Sequence, residues 1–232
     1  MSSQFEIIVF RKYNECLRWL LPLQNHCIIF NKGLPLEDDI QYAFRNIIQV
    51  PSDIGADHTY AFLSYMVSEY DRILENKKQS NEMNDTEYKT IVFIKANISD
   101  DIPQEYRNGA ETLYVRLLIV QARFYGLSLN LHHDTYSYEN IKYIDQKNNI
   151  LGSEYFFGEW YRKYIDPKRI SLLIYNDDIK WYHEKCFAIR EEKILLHPKS
   201  YYLDLLFQLQ IPEKNESELF LERSWYHIFH QK

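Results

Sequence analysis

Phe5-Glu6-Ile7-Ile8-Val9-Phe10 runs into Arg11-Lys12-Tyr13-Asn14-Glu15, and a little further on His26-Cys27-Ile28-Ile29-Phe30 runs into Asn31-Lys32-Gly33. Each is a short, nearly all-apolar run closed by a polar cluster, the pattern of a strand buried on both faces. Between them Cys16, Leu17, Trp19, Leu20 and Leu21 supply the apolar residues of a helix, which Pro22 and Asn25 are expected to stop. Strand, polar loop, helix, strand is most simply a right-handed βαβ unit feeding a parallel sheet. In such sheets the ligand crevice lies at the carboxyl ends of the strands. The two cationic clusters, Arg11 to Glu15 and Asn31 to Gly33, are therefore expected to meet there, either as solvated loop charges or facing an anionic or polyhydroxyl ligand.

Working outward, Ile47, Ile48 and Val50 suit an edge strand, and Pro51 to Thr59 a turn leading into a helix. Asp53 or Asp57 is a suitable N-cap there. The helix carries Leu63, Met66, Val67, Tyr70 and Leu74 on one face. Residues 76–89 are polar and read as a flexible surface loop. Thr90–Ile94 is a third buried strand. A helix over Ala110–Tyr125 is expected to bury Leu113, Leu117, Val120 and Phe124, with Gly126 ending it. Leu127–Leu131, Ile170–Tyr175 and Phe187–Arg190 read as strands, and Glu154–Ile165 and Lys199–Gln210 as helices. No repeat or linker interrupts the chain, so residues 1–232 are read as one domain with a mostly parallel central sheet flanked by helices.

The last stretch, Glu222-Arg223-Ser224-Trp225-Tyr226-His227-Ile228-Phe229, places Glu222, Trp225, Tyr226 and Phe229 on one helical face. Three of the four are aromatic, so the face is expected to be buried. A carboxylate against an apolar wall is costly without a partner. Glu222 is then either a structural Glu paired with a buried Arg or backbone amides, or an acid/base or ligand-holding group at a cleft rim.

Composition narrows the classes. The net charge is −6 and no basic stripe appears, which argues against nucleic acid as a partner. The three cysteines show no metal-ligand spacing, which favours reduced thiols and a cytoplasmic location. Neither a signal peptide nor a membrane span is read from the sequence. There is no G-x-S-x-G elbow, Walker A loop or G-x-G-x-x-G loop. His132-His133-Asp134 sits on a predicted strand, where neighbours point to opposite faces and cannot share one metal. The acidic doublets Asp38-Asp39, Asp100-Asp101 and Asp177-Asp178 read as surface. With no Asp-x-Asp motif to hold Mn²⁺ or Mg²⁺ against a diphosphate, metal dependence stays open. Nothing in the sequence sets an oligomeric state.

The ordered set of motifs resembles a glycosyltransferase-like domain family of unknown function. The family's Arg-Tyr-Asn-Glu-x-Leu-x-Trp-Leu stretch is matched by Arg11 to Leu20, with Lys12 inserted. Its Tyr-Asn-Lys-Gly is matched by Phe30 to Gly33, and its Asn-x-Gly-Arg-Glu and His-Thr-Tyr by Asp53 to Tyr60. Its Phe-Leu-Gln-Gly is matched by Phe93 to Ala96, and its closing Glu-Arg-x-Trp-x-x-Ile-Phe by Glu222 to Phe229. Phe187-Ala188-Ile189, Ile194, Pro198 and Tyr201 fit a further segment. The departures are Ala56-Asp57 for Arg-Glu and Lys95-Ala96 for Gln-Gly.

The resemblance implies a glycosyltransferase A-like α/β fold with a Rossmann-like nucleotide-binding half. It also implies transfer of a sugar from a nucleotide-sugar donor to a glycan hydroxyl. Arg11, Lys12 and Lys32 would neutralise the diphosphate, Tyr13 would stack on the base, and Asn14, Glu15, Asn31, Asp53, Lys95 and Arg223 would complete the binding set. Asp57 or Glu222, with His58 as a further candidate, would take the acceptor proton. Two alternatives stay open: a non-catalytic carbohydrate-binding module, and a two-carboxylate glycoside hydrolase using Asp57 with Glu222.

Overall fold

The computed structural model describes residues 4–52, 57–83, 88–98, 111–129, 131–134, 157–167, 179–182, 186–210 and 216–230. Its centre is a five-stranded sheet of β1 (Phe5–Arg11), β2 (Cys27–Asn31), β3 (Asn46–Gln49), β4 (Thr90–Lys95) and β7 (Phe187–Arg190), in the order β3-β2-β1-β4-β7. The first four strands are parallel, and β7 joins antiparallel to β4. A separate antiparallel pair is formed by β5 (Leu131–Asp134) and β6 (Ile179–Tyr182). The helices are α1 (Asp38–Ala43), α2 (His58–Met83), α3 (Glu111–Tyr125), α4 (Phe157–Tyr164), α5 (Lys199–Leu209) and α6 (Glu216–Phe229). No helix among the described residues is long and apolar enough to cross a membrane.

The all-apolar strands are explained by two cores. Successive side chains point to opposite faces. Ile8, Phe10, Phe30, Ile91, Phe93, Phe187 and Ile189 enter one core, with α2, α5 and α6. Ile7, Val9, Cys27, Ile29, Val92, Ile94 and Ala188 enter the other, with α3 and the segment joining β1 to β2. The chain leaves β1 for β2 and β3 under one face, then passes through α2 on the opposite face to reach β4 on the far side of β1. That reversal makes the carboxyl ends of β1 and its neighbours the place where a crevice opens.

Four local expectations are corrected. The β1–β2 connection is not an α-helix stopped by Pro22 but a run of 3-10 turns, Arg18–His26, with Pro22 inside it. Proline removes an i→i−4 hydrogen bond, and the tighter winding accommodates it. α2 continues to Met83, so residues 76–83 of the expected surface loop are helical. Their Lys, Gln and Glu side chains are adequate helix formers. α3 buries Tyr114, Val115, Leu118, Ile119 and Ala122, and leaves Leu113, Val120 and Phe124 exposed. That helix is apolar over most of its circumference, so periodicity did not fix which stripe faces the sheet. Leu127 makes only an isolated bridge to Ile189, and the strand starts at Leu131. The strand expected at Ile170–Tyr175 lies outside the described residues, as does Asp53.

The cysteines give a simple check. Cys16 is exposed, whereas Cys27 and Cys186 are buried. Burial pushes the Cys27 thiol up to about 12, and its Sγ donates to the Leu23 carbonyl at 3.3 Å. A thiol reagent is expected to label one cysteine per native chain quickly and the other two only on unfolding. Three equally fast thiols would contradict this packing.

Candidate functional site

Strand register builds the floor of the site. Arg11 pairs with Asn31 across β1 and β2, and Asn31 with Gln49 across β2 and β3. Three strand ends therefore align, and the loops after β1 and β2 rise side by side. Arg11 is nearly fully buried and is consumed by this framework. Its Nη1 donates to Asn31 Oδ1 at 2.8 Å and to the Leu34 carbonyl at 2.7 Å, and its Nε to the Glu15 carbonyl at 3.1 Å. Burial draws the guanidinium below its ordinary value, against the raising charge of Glu15. Asn31 is spent likewise, donating to the Leu34 carbonyl at 3.2 Å and to Gln49 Oε1 at 3.0 Å. Gly33 is required at the crossing of the two loops, where any Cβ would strike the Tyr13 carbonyl.

Lys12 and Lys32, one residue beyond each of these, behave differently. Both ammonium groups reach Asp57, the residue immediately before α2: Lys12 Nζ binds Oδ2, and Lys32 Nζ lies 3.3 Å from Oδ1. Burial opposes the Lys12 charge, but the hydrogen bond and charge of Asp57 outweigh it, so this ammonium titrates above an ordinary lysine. The two lysines, Tyr13, Asn14, Gly33 and the segment from Gln49 to Ser52 line a cleft of about 630 Å³, within the range of small-ligand sites. The Tyr13 ring is 65% exposed, and Lys12 Nζ stands 5.2 Å from its centroid. The Tyr13 amide donates to Glu15 Oε2 at 2.6 Å, which fixes the loop. Lys95 ends β4 on the other side of β1, and neither it nor Arg223 lines this cleft.

Behind Asp57 lies a second group that the sequence only half disclosed. α6 packs Trp225, Tyr226 and Phe229 into the core as expected, and Glu222, one turn earlier, meets His58, the first residue of α2. Glu222 Oε1 is 3.0 Å from His58 Nε2, and Glu218 Oε1 is 3.5 Å from His58 Nδ1. Glu218 was not singled out from the sequence. The signal was its spacing: Glu218 and Glu222 are i and i+4 on one helix and so share a face. Glu218 Oε1 also accepts from the Asp57 amide at 2.9 Å and Thr59 Oγ1 at 3.1 Å. It thereby satisfies the start of α2, freeing the Asp57 side chain from the capping role expected of it. Desolvation raises the Glu218 carboxyl, as do the charges of Glu222 and Asp57, while His58 and the Asp57 amide work the other way.

The arrangement can therefore hold an anion against Lys12 and Lys32, take up a proton at Asp57, or hold a cation among His58, Glu218 and Glu222. Comparison of the chain with family models, curated proteins and solved structures yields no match.

Proposed function

We propose that the protein is a glycosyltransferase, moving a sugar from a nucleotide-sugar donor to a glycan hydroxyl on a glycosyltransferase A-like fold. One observation carries this reading: a cleft over the carboxyl ends of β1–β3 in which two ammonium groups and an exposed aromatic ring converge. The diphosphate takes Lys12 and Lys32, and the base stacks on Tyr13. The lysines then leave Asp57, whose carboxylate becomes free to act. The acceptor hydroxyl gives its proton to Asp57, and its oxygen bonds to the anomeric carbon. The bond from that carbon to the diphosphate oxygen breaks, and its electron pair leaves on the nucleoside diphosphate, where the lysines balance the added charge. A cytoplasmic setting belongs to the same reading.

Calorimetric and thermal-shift titration with a panel of nucleotide sugars tests it. A donor at about a hundred times its dissociation constant adds roughly 2.7 kcal/mol of stability. The Lys12→Ala/Lys32→Ala variant is expected to bind that donor at least about tenfold more weakly, at the level of one to two charge-assisted hydrogen bonds. If no nucleotide sugar binds, or if the double variant binds as well as wild type, the transferase reading fails. The departures at Ala56-Asp57 and Lys95-Ala96 favour one other reading, a binding module that holds saccharide without transfer.

A further inference from the structure

We propose that His58, Glu218 and Glu222 form a binding site for a divalent transition cation of the zinc or manganese class. Their donor atoms lie within 4.8 Å of one another, and two elements remote in sequence supply them, the first residue of α2 and successive turns of α6. Ligand atoms about 2.1 Å from one ion stand about 3.0 Å apart at a right angle and at most about 4.2 Å apart. The 3.0 Å between His58 Nε2 and Glu222 Oε1 fits the first figure. Glu218 Oε1 lies beside the other ring nitrogen, 3.5 Å from Nδ1, so Glu218 joins the set by turning its carboxylate toward Nε2.

His58 itself points to the ligand. It is 3% exposed, and its Nε2 has Glu222 Oε1 nearby but not in line for a hydrogen bond. A buried imidazole nitrogen normally finds an aligned partner. An ion on its lone-pair axis, flanked by Glu222, satisfies it. Glu218 is prepared in the same sense: its hydrogen bonds among the described residues, from the Asp57 amide and Thr59, both fall on Oε1. Metal-ligating carboxylates commonly carry such outer hydrogen bonds. One imidazole with two carboxylates suits zinc or manganese better than the all-oxygen sites of calcium and magnesium. Three protein ligands leave coordination positions open.

The cation site stands on this geometry. A role for it in holding donor phosphate oxygens rests on the transferase reading, since Asp57 and its lysines adjoin His58.

The test uses the full chain, dialysed against chelator and titrated without nucleotide. Zn²⁺ and Mn²⁺ are followed by calorimetry, and Co²⁺ by its ligand-field absorption. One ion per chain is expected. Glu222→Gln and Glu218→Gln, which preserve shape and keep an acceptor, are each expected to weaken binding at least tenfold. Their melting temperatures in chelator are expected to stay near that of wild type. Absence of saturable binding by any of the three ions, or binding undiminished in both variants, overturns the site. Nucleotide-sugar binding in chelator is measured separately. Cation binding without any nucleotide binding keeps the site and removes the transferase reading. Nucleotide binding without cation binding does the reverse.

Discussion

Asp57→Asn is expected to lower the turnover of sugar transfer by about a hundredfold to ten-thousandfold, the range for removing a positioned general base. Asparagine keeps the shape and one acceptor oxygen for a lysine, and the Arg11–Asn31 framework still holds the loops after β1 and β2. What disappears is the negative charge and the ability to take the acceptor proton. The same charge competes with a diphosphate for the two lysines, so its loss is expected to leave donor affinity unchanged or tighten it. The diagnostic is this split: kcat falls while the dissociation constant of the donor holds or drops. Calorimetry with donor and a coupled assay for released nucleoside diphosphate measure the two sides. Undiminished turnover would remove Asp57 from the chemistry. A parallel loss of both quantities would assign it to positioning.

The second large effect is structural. Trp225→Ala is expected to cost about 3–5 kcal/mol, the range for deleting a large buried aromatic side chain. Trp225 is fully buried. Its ring stacks on Phe187 at 5.6 Å and on Phe229 at 6.1 Å, with Phe62 at 6.4 Å. These contacts tie α6 to β7 and to α2, so the variant loosens the helix that carries Glu218 and Glu222. For a chain of this size the melting temperature is expected to fall by roughly 6–20 °C. Trp225 Nε1 has no hydrogen-bond partner among the described residues, so Trp225→Phe forfeits no polar contact and is expected to cost less than half as much. Equal losses in the two variants would mean that the stack is not what holds the helix.

The parallel sheet was legible because β1, β2 and β4 are nearly all apolar, which burial on both faces explains. The meeting of Lys12 with Lys32 was legible for a related reason, since loops after adjacent parallel strands rise at one edge. The separate fates of Arg11 and Lys12 were not. Adjacent cations look alike in sequence, and only the register that sets Arg11 against Asn31 turns one inward to the framework and leaves the other at the cleft. Glu222 stood out through its aromatic neighbours, and the imidazole of His58 lies 3.0 Å from its carboxylate. Glu218 carried no such flag, because an acidic residue on an amphipathic helix is ordinary until a second element approaches it. The buried stripe of α3 was misread where composition offers two apolar faces and only the sheet selects between them.

The hydrogen bond from the Asp57 amide to Glu218 spans 161 positions of chain. During synthesis β1 to β4 can pair once their residues have emerged from the ribosome, but the start of α2 lacks this acceptor until α6 has followed. Closing so long a loop comes late in folding. A chain that ends before residue 216 lacks both glutamates together with Trp225 and Phe229, the aromatics by which α6 enters the core. The His58, Glu218 and Glu222 cluster therefore assembles only when α6 has docked on α2.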